Sequence, residues 1–151
     1  PWDGGQLMPV AEGGGRVEGP SAIPHKEGET RPLAFDAAGL KRVREAFVAS
    51  ARRSARLGID AIEVHSAHGY LLHQFLSPVA NQRTDGYGGS RENRIRLPLE
   101  IFAAVRAAFP ASKPVGIRIS AVEWVDGGIT VEDSIALAEK FERLKSPPPE
   151  A

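Results

Sequence analysis

Two histidines and a tyrosine stand close together near the middle of the 151-residue chain, in the segment His65-Ser66-Ala67-His68-Gly69-Tyr70. An imidazole exchanges protons near neutral pH, and a phenol with an ordinary pKa of about 10 can supply a proton. Three chemistries fit this spacing. The His-x-x-His pair could bind a metal ion, backbone carbonyls could hold both rings in a structural role, or both rings could hydrogen-bond a substrate oxygen while Tyr70 donates a proton.

The metal interpretation has the least support. A His-x-x-His pair needs a carboxylate or a third histidine to complete a site, and none stands at a recognised spacing in this sequence. Gly69 also disfavours a helix that would present both rings together. We therefore predict no metal site, and the structural and substrate-binding interpretations stay open.

A strand predicted over Asp60 to His65 positions this segment. Its apolar residues Ile62 and Val64 alternate with Glu63 and His65, which is the period of two expected of a strand. In proteins built from parallel strands, ligand sites collect just beyond the carboxyl ends of the strands. The two histidines and the tyrosine lie at that position.

A second strand, predicted over Val115 to Ser120, carries Arg118 on the face opposite its apolar residues. In a barrel the apolar faces pack against helices, so Glu63, His65 and Arg118 would point inward. A buried guanidinium needs a carboxylate or an anionic ligand beside it. Arg118 is therefore either the partner of Glu63 in a buried ion pair or a cation directed at an anionic cofactor.

Helices alternate with these strands. We predict helices from Asp36 to Gly58, from Ser90 to about Phe109, and from Thr130 onward, with a kink or restart near Leu97 because Pro98 lacks a backbone donor. Alternating strands and helices favour right-handed βα units and a parallel sheet or barrel. A complete (βα)8 barrel typically needs about 250 residues. The prediction is an α/β fold that is a fragment of a TIM barrel, with about two parallel strands and their flanking helices.

Composition divides the chain into three predicted parts. Residues 1–35 are a long loop-rich lead-in with many glycines and prolines, residues 36–144 form the central βα units, and residues 145–151 are a proline-rich tail that we predict to be disordered. The glycines at 86, 88 and 89 match no phosphate-binding pattern and predict turns. Three charged residues around them, Arg83, Asp85 and Arg94, are expected to form a buried charge network.

Charge and composition narrow the possible partners. Lys plus Arg and Asp plus Glu both number 19, so net charge gives no reason to expect a nucleic acid or an anionic membrane as partner. Cysteine is absent, which removes disulfides and a thiol nucleophile. No apolar run approaches the ~20 residues of a membrane-spanning helix. We predict a cytoplasmic protein.

Several runs of residues form one extended motif. They are His65 to Leu72, Gln74-Phe75-Leu76-Ser77-Pro78, Asn81-Gln82-Arg83-Thr84-Asp85, Tyr87-Gly88-Gly89-Ser90, Glu92-Asn93-Arg94 and Gly116 to Ser120. This motif closely resembles the old yellow enzyme family of FMN-dependent NAD(P)H oxidoreductases. The resemblance covers roughly residues 19–144, weakly over residues 19–24. The His-x-x-His form, where other branches carry His-x-x-Asn, resembles the thermophilic-like or xenobiotic-reductase branch.

The resemblance implies an eight-stranded α/β barrel that holds FMN at the carboxyl ends of its strands and takes NAD(P)H as reductant. His65 and His68 would then bind the carbonyl oxygen of an enone or other electrophilic small molecule, or the nicotinamide amide. Tyr70 would protonate the α-carbon after the flavin delivers hydride to the β-carbon, and Arg118 would bind the pyrimidine end of FMN. Homo-oligomers are possible by the same resemblance.

Parts of the family pattern lie outside this sequence. Earlier strands of the family contact the flavin, and later strands bind its phosphate. We therefore expect a segment of an ene-reductase that is inactive alone. The alternative is a non-catalytic truncated remnant or interaction module.

Overall fold

The computed structural model describes residue 8 and residues 10–145. The predicted tail beyond 145, and residues 1–7 and 9 of the predicted lead-in, lie outside the described residues. In chain order the elements are a 3-10 turn (Val10–Glu12), β1 (Glu18–Gly19), β2 (Leu33–Ala34), α1 (Ala37–Arg56), β3 (Ile62–Ser66), α2 (Leu71–Leu76), α3 (Arg91–Arg94), α4 (Arg96–Ala108), β4 (Val115–Ile119) and α5 (Val131–Lys145).

The strands β3 and β4 form the parallel pair that the sequence predicts, with Ile62 opposite Val115 and His65 opposite Arg118. The much shorter β1 and β2 form a separate parallel pair. The predicted start of β3 at Asp60 is wrong, because the paired ladder begins at Ile62. The residue before β4 is a proline, which has no N–H to extend the ladder toward Asp60.

The core lies between one face of β3 and β4 and the surrounding helices. Val64 and Val115 are buried on that face, and α1 packs against α4 behind them. The largest fully buried apolar side chains come from α2 and α4: Phe75, Phe102, Leu72, Leu97, Ile101 and Pro98. The opposite face of the strands carries exposed Glu63 and Arg118. The predicted division into an apolar and a polar face is thus correct.

A side-chain hydrogen bond caps the helix at each of the three residues where the sequence predicts a helix to begin. Asp36 Oδ1 accepts from Gly39 N–H at 2.7 Å. Ser90 Oγ accepts from the N–H of Asn93 at 3.3 Å, and Thr130 Oγ1 accepts from the N–H of Asp133 at 3.2 Å. Each cap satisfies an amide that has no partner within its own helix, which fixes where the helix begins.

The predicted helix from Ser90 to Phe109 is divided in two. The break lies at Ile95 and α4 begins at Arg96, so the predicted restart near Leu97 is confirmed. Pro98 occupies the first turn of α4, where backbone amides have no intrahelical acceptor and a missing N–H loses nothing. Pro98 therefore helps to begin a helix and does not bend one.

Arg83 connects the N-terminal segment to the loop after α2. Its Nη1 donates to the carbonyls of Pro20 and Phe35 at 3.0 and 2.8 Å, and its Nη2 contacts Asp85 Oδ2 at 2.5 Å. These hydrogen bonds from Arg83 hold the pKa of Asp85 below its ordinary value. Arg94 is not part of this network, since it donates instead to the carbonyls of Leu76 and Gly89.

No helix in the described part of the chain is long and apolar enough to cross a membrane.

Two buried serines should respond differently to alanine. Among the described residues Ser66 Oγ has no hydrogen-bond partner, whereas Ser77 Oγ donates to Glu123 at 3.0 Å and accepts from the N–H groups of Val79 and Ala80. Ser66→Ala should leave the free energy of unfolding unchanged or raise it by up to about 1 kcal/mol. Ser77→Ala should lower it by about 1–3 kcal/mol. Urea unfolding measures both, and equal losses would contradict the assignment.

Candidate active site

The three predicted catalytic rings meet at the carboxyl end of β3. The ring centroid of His65 lies 5.2 Å from that of His68 and 5.2 Å from that of Tyr70. His65 is half-buried, His68 is exposed, and Tyr70 is 63% exposed. The structure therefore brings the predicted residues together around His65, on a face that a ligand can reach.

The side chains of these three residues are available to a ligand. Among the described residues none of them takes part in a hydrogen bond, and His68 is held through its backbone N–H, which donates to Ser120 Oγ at 3.0 Å. The backbone carbonyls that a purely structural role would require do not bond either imidazole in this part of the chain. Residues 8 and 10–145 also contain no group of three potential metal ligands.

A left-handed turn presents His68 and Tyr70. His68 has φ 59° and Gly69 has φ 75°, so two consecutive residues adopt the left-handed region. A non-glycine residue there costs on the order of 1 kcal/mol or more. The turn ends at Tyr70, which is the N-cap residue of α2. The backbone conformation of His68 and Gly69 thus sets the position of the Tyr70 phenol relative to His65.

Arg118 lies beside this cluster, opposite His65 in the strand register. Its Nε donates to Glu63 Oε1 at 2.7 Å, and the two side chains are 55% and 49% exposed. The Glu63–Arg118 ion pair, one of the two predicted alternatives, therefore forms on a strand face that is open within the described residues, and its burial inside a complete barrel stays a prediction. An exposed pair contributes about 0–1 kcal/mol. The terminal nitrogens of Arg118 have no hydrogen-bond partner among the described residues.

The sequence analysis missed His73, the third residue of α2. His73 is buried, and its Nδ1 accepts a hydrogen bond from the N–H of Gly69 at 2.6 Å. One signal in the sequence could have found it. A histidine inside the short apolar helix LLHQFL must bury an imidazole, and a buried polar group requires a partner.

Acidification should destabilise the fold through His73. Burial lowers the pKa of His73 from its ordinary 6.5, the carboxylate of Glu123 acts in the opposite direction, and His68 lowers it further. The unfolded chain therefore takes up the proton more readily, so stability is fully present above about pH 6.5 and is lost as the pH falls toward the folded pKa. The slope for one site is at most about 1.4 kcal/mol per pH unit.

Urea unfolding between pH 7.5 and 5 measures this slope. The variant His73→Asn keeps an acceptor near the Nδ1 position but cannot titrate, so its stability should vary less with pH than that of the parent chain. Three other titratable groups, Glu18, His25 and Glu123, line the same cleft as His73. His25→Gln is therefore the matched control and should keep the parent slope. Equal slopes in the parent and His73→Asn would contradict the prediction.

Comparison with known proteins identifies the family. The sequence model of the NADH:flavin oxidoreductase / NADH oxidase family matches residues 2–148. An NADH:flavin oxidoreductase of Gibberella zeae is 46% identical over 130 residues, and an NADPH dehydrogenase of Clostridium acetobutylicum is 43% identical over 122 residues. These matches cover 83% and 80% of this chain but 32% and 36% of the relatives. The chain thus spans about a third of the length of the curated relatives it matches.

Solved structures of related proteins support the same family and show the fold. Morphinone reductase in complex with tetrahydroNAD matches 88% of this chain and 41% of its own, with a TM-score of 0.75 and 32% identity. The old yellow enzyme homologue from Zymomonas mobilis matches 93% of this chain and 42% of its own, with a TM-score of 0.75 and 26% identity. The predicted fold class is confirmed, since the parallel strands and helices match part of these TIM barrels. The chain belongs to the NADH:flavin oxidoreductase / NADH oxidase family, that of the old yellow enzymes.

Proposed function

We propose that this chain is a segment of an FMN-dependent NAD(P)H oxidoreductase that reduces the C=C bond of α,β-unsaturated carbonyl compounds. The observation that carries the proposal is the convergence of His65, His68 and Tyr70 at an open strand end, next to Arg118. Bound FMN would supply the hydride for this reduction. The His-x-x-His spacing favours the thermophilic-like or xenobiotic-reductase branch.

The two histidines would hold the substrate. The ring nitrogens of His65 and His68 have no hydrogen-bond partner among the described residues, and the two rings stand with centroids 5.2 Å apart. A carbonyl oxygen between them could accept a hydrogen bond from each ring. Negative charge develops on that oxygen when the β-carbon of an enone is attacked, so donors already in place would lower the barrier.

Tyr70 would complete the reduction. Its ring lies 5.2 Å from that of His65 and is largely exposed, so its hydroxyl can reach a substrate held by the histidines. Reduction of a C=C bond requires a proton at the α-carbon after the β-carbon has been attacked. A phenol held beside that carbon supplies this proton as a general acid.

The donor set at Arg118 fits one edge of a flavin. Arginine stays protonated at every accessible pH, and its terminal N–H groups suit carbonyl oxygens that carry negative charge. Glu63 occupies the Nε side of the guanidinium, so the terminal nitrogens remain for a ligand. Arg118 would thus stabilise the negative charge of the reduced pyrimidine ring. We assign no residue of this chain to the flavin phosphate.

The open strand edges indicate that this site needs further strands. Within the described residues β3 pairs only with β4, so each keeps one edge of unpaired backbone groups. A groove of about 460 Å³ runs between the free edge of β3 and α1. Parallel strands normally have neighbours on both edges and helices on their faces. We therefore expect the isolated segment to lack ene-reductase activity.

A chimera tests the proposal. Residues 19–144 would replace the equivalent residues of the Clostridium acetobutylicum NADPH dehydrogenase, which supplies the remaining strands of a barrel. We expect the purified chimera to retain FMN and to reduce cyclohexenone with NADPH. A folded chimera that holds FMN and accepts electrons from NADPH but does not reduce enones would overturn the proposed activity.

Flavin affinity tests the role of Arg118 separately. In the chimera Arg118→Ala should raise the dissociation constant of FMN by about tenfold or more, because a charge-assisted hydrogen bond contributes about 1.5–3 kcal/mol. Arg52→Ala, which changes an exposed arginine on α1, is the matched control. The affinities are measured by FMN fluorescence. Equal affinities in the two variants would show that Arg118 does not contribute to FMN binding.

A further inference from the structure

The turn between β3 and α2 is held by three side chains, two from α2 and one from the residue that follows β4. Ser120 Oγ accepts from the N–H of His68 at 3.0 Å, and Gln74 Nε2 donates to the carbonyl of Gly69 at 2.8 Å. His73 Nδ1 accepts from the N–H of Gly69 at 2.6 Å. The shortest of these bonds is the one to His73, and it fixes the second of the two left-handed residues.

This hydrogen bond determines the protonation state of the ring. A nitrogen that accepts from a backbone N–H cannot carry a proton, so the neutral imidazole of His73 must hold its proton on Nε2. Nε2 is buried and has no hydrogen-bond partner among the described residues. A buried unpartnered donor is unfavourable, and an apolar side chain at this position would avoid it. Among the polar interactions of the imidazole in the described residues, the hydrogen bond from the N–H of Gly69 is therefore the one that stabilises the fold.

We propose that His73 is a positioning residue, which locks the His68-Gly69 turn and thereby sets the distance between the rings of Tyr70 and His65. The turn contains a left-handed histidine, which favours relaxation to an ordinary backbone conformation once a restraint is lost. Relaxation would rotate the chain just before α2 and displace Tyr70. The inference rests on the proposed function in one respect, that His65, His68 and Tyr70 are the groups that face the substrate.

Nuclear magnetic resonance of the full 151-residue chain tests the proposal without requiring turnover. We expect a scalar coupling across the hydrogen bond between the amide nitrogen of Gly69 and Nδ1 of His73 at pH 7.5, with the imidazole in the Nε2–H form. We also expect nuclear Overhauser contacts between the rings of Tyr70 and His65. An Nδ1–H form of His73 would overturn the proposal.

Two substitutions separate positioning from packing. His73→Leu fills the same apolar surroundings without an acceptor, and should abolish the Tyr70 to His65 contacts while the methyl resonances of the core stay in place. His73→Asn restores an acceptor near Nδ1 and should restore those contacts. Contacts that persist in His73→Leu would overturn the proposal. Because no readout depends on catalysis, failure here is distinguishable from an inactive chimera, which counts against the proposed function alone.

Discussion

Replacement of Tyr70 by phenylalanine is expected to lower the rate of enone reduction in the chimera by about 10²- to 10⁴-fold, the usual contribution of a positioned general acid. Phenylalanine keeps the ring beside His65 and removes only the hydroxyl, so the loss reports proton donation and not packing. The ring is 63% exposed, and folding stability should therefore change little. Reduction of the flavin by NADPH needs no proton from Tyr70 and should keep its parent rate. Stopped-flow measurement of the two half-reactions separates these effects.

The chain offers a matched control for this substitution. Its other tyrosine is Tyr87, whose hydroxyl donates to Glu100 on α4 at 3.2 Å. Tyr87→Phe should leave both half-reactions unchanged. If Tyr70→Phe also leaves the oxidation of reduced flavin by cyclohexenone unchanged, the proton comes from water or from another residue, and the role of Tyr70 is wrong.

The parts of the site that could be predicted are those that depend on local sequence. Alternation over β3 places His65 on the polar face, and the same argument places Arg118 there from β4. The parallel pairing then brings the two residues opposite each other. Because each step uses only neighbouring residues and the rule that parallel strands align their carboxyl ends, no tertiary information was needed.

The parts that could not be predicted depend on backbone conformations that the sequence leaves open. Positive φ is uncommon for any residue other than glycine, so the sequence did not mark His68 as left-handed, and the hydrogen bond between His73 and Gly69 belongs to this turn. For a related reason the sequence left open whether Pro98 kinks a helix or begins one. Proline is unfavourable within a helix and favourable in its first turn, and the position of the break at Ile95 decides which applies.

Gly88→Ala should lower the free energy of unfolding by about 3 kcal/mol or more, at the upper end of overpacking effects. A Cβ at Gly88 would lie 2.4 Å from the carbonyl oxygen of Arg83 and 2.5 Å from its Cβ, well inside van der Waals contact. Arg83 cannot move away easily, because its guanidinium is bonded to the carbonyls of Pro20 and Phe35 and to Asp85. The substitution should therefore weaken the attachment of the N-terminal segment as well as the loop.

The neighbouring Gly86 provides the control, since it lies two residues away in the same loop. A Cβ there would approach nothing closer than Arg96 Nε at 3.9 Å. Gly86→Ala should therefore change stability by no more than about 0.5 kcal/mol. Urea unfolding of both variants at pH 7.5 gives the comparison. A near-neutral Gly88→Ala would mean that the backbone of Arg83 yields to the added methyl group, and Arg83 would then not be the rigid anchor that its hydrogen bonds indicate.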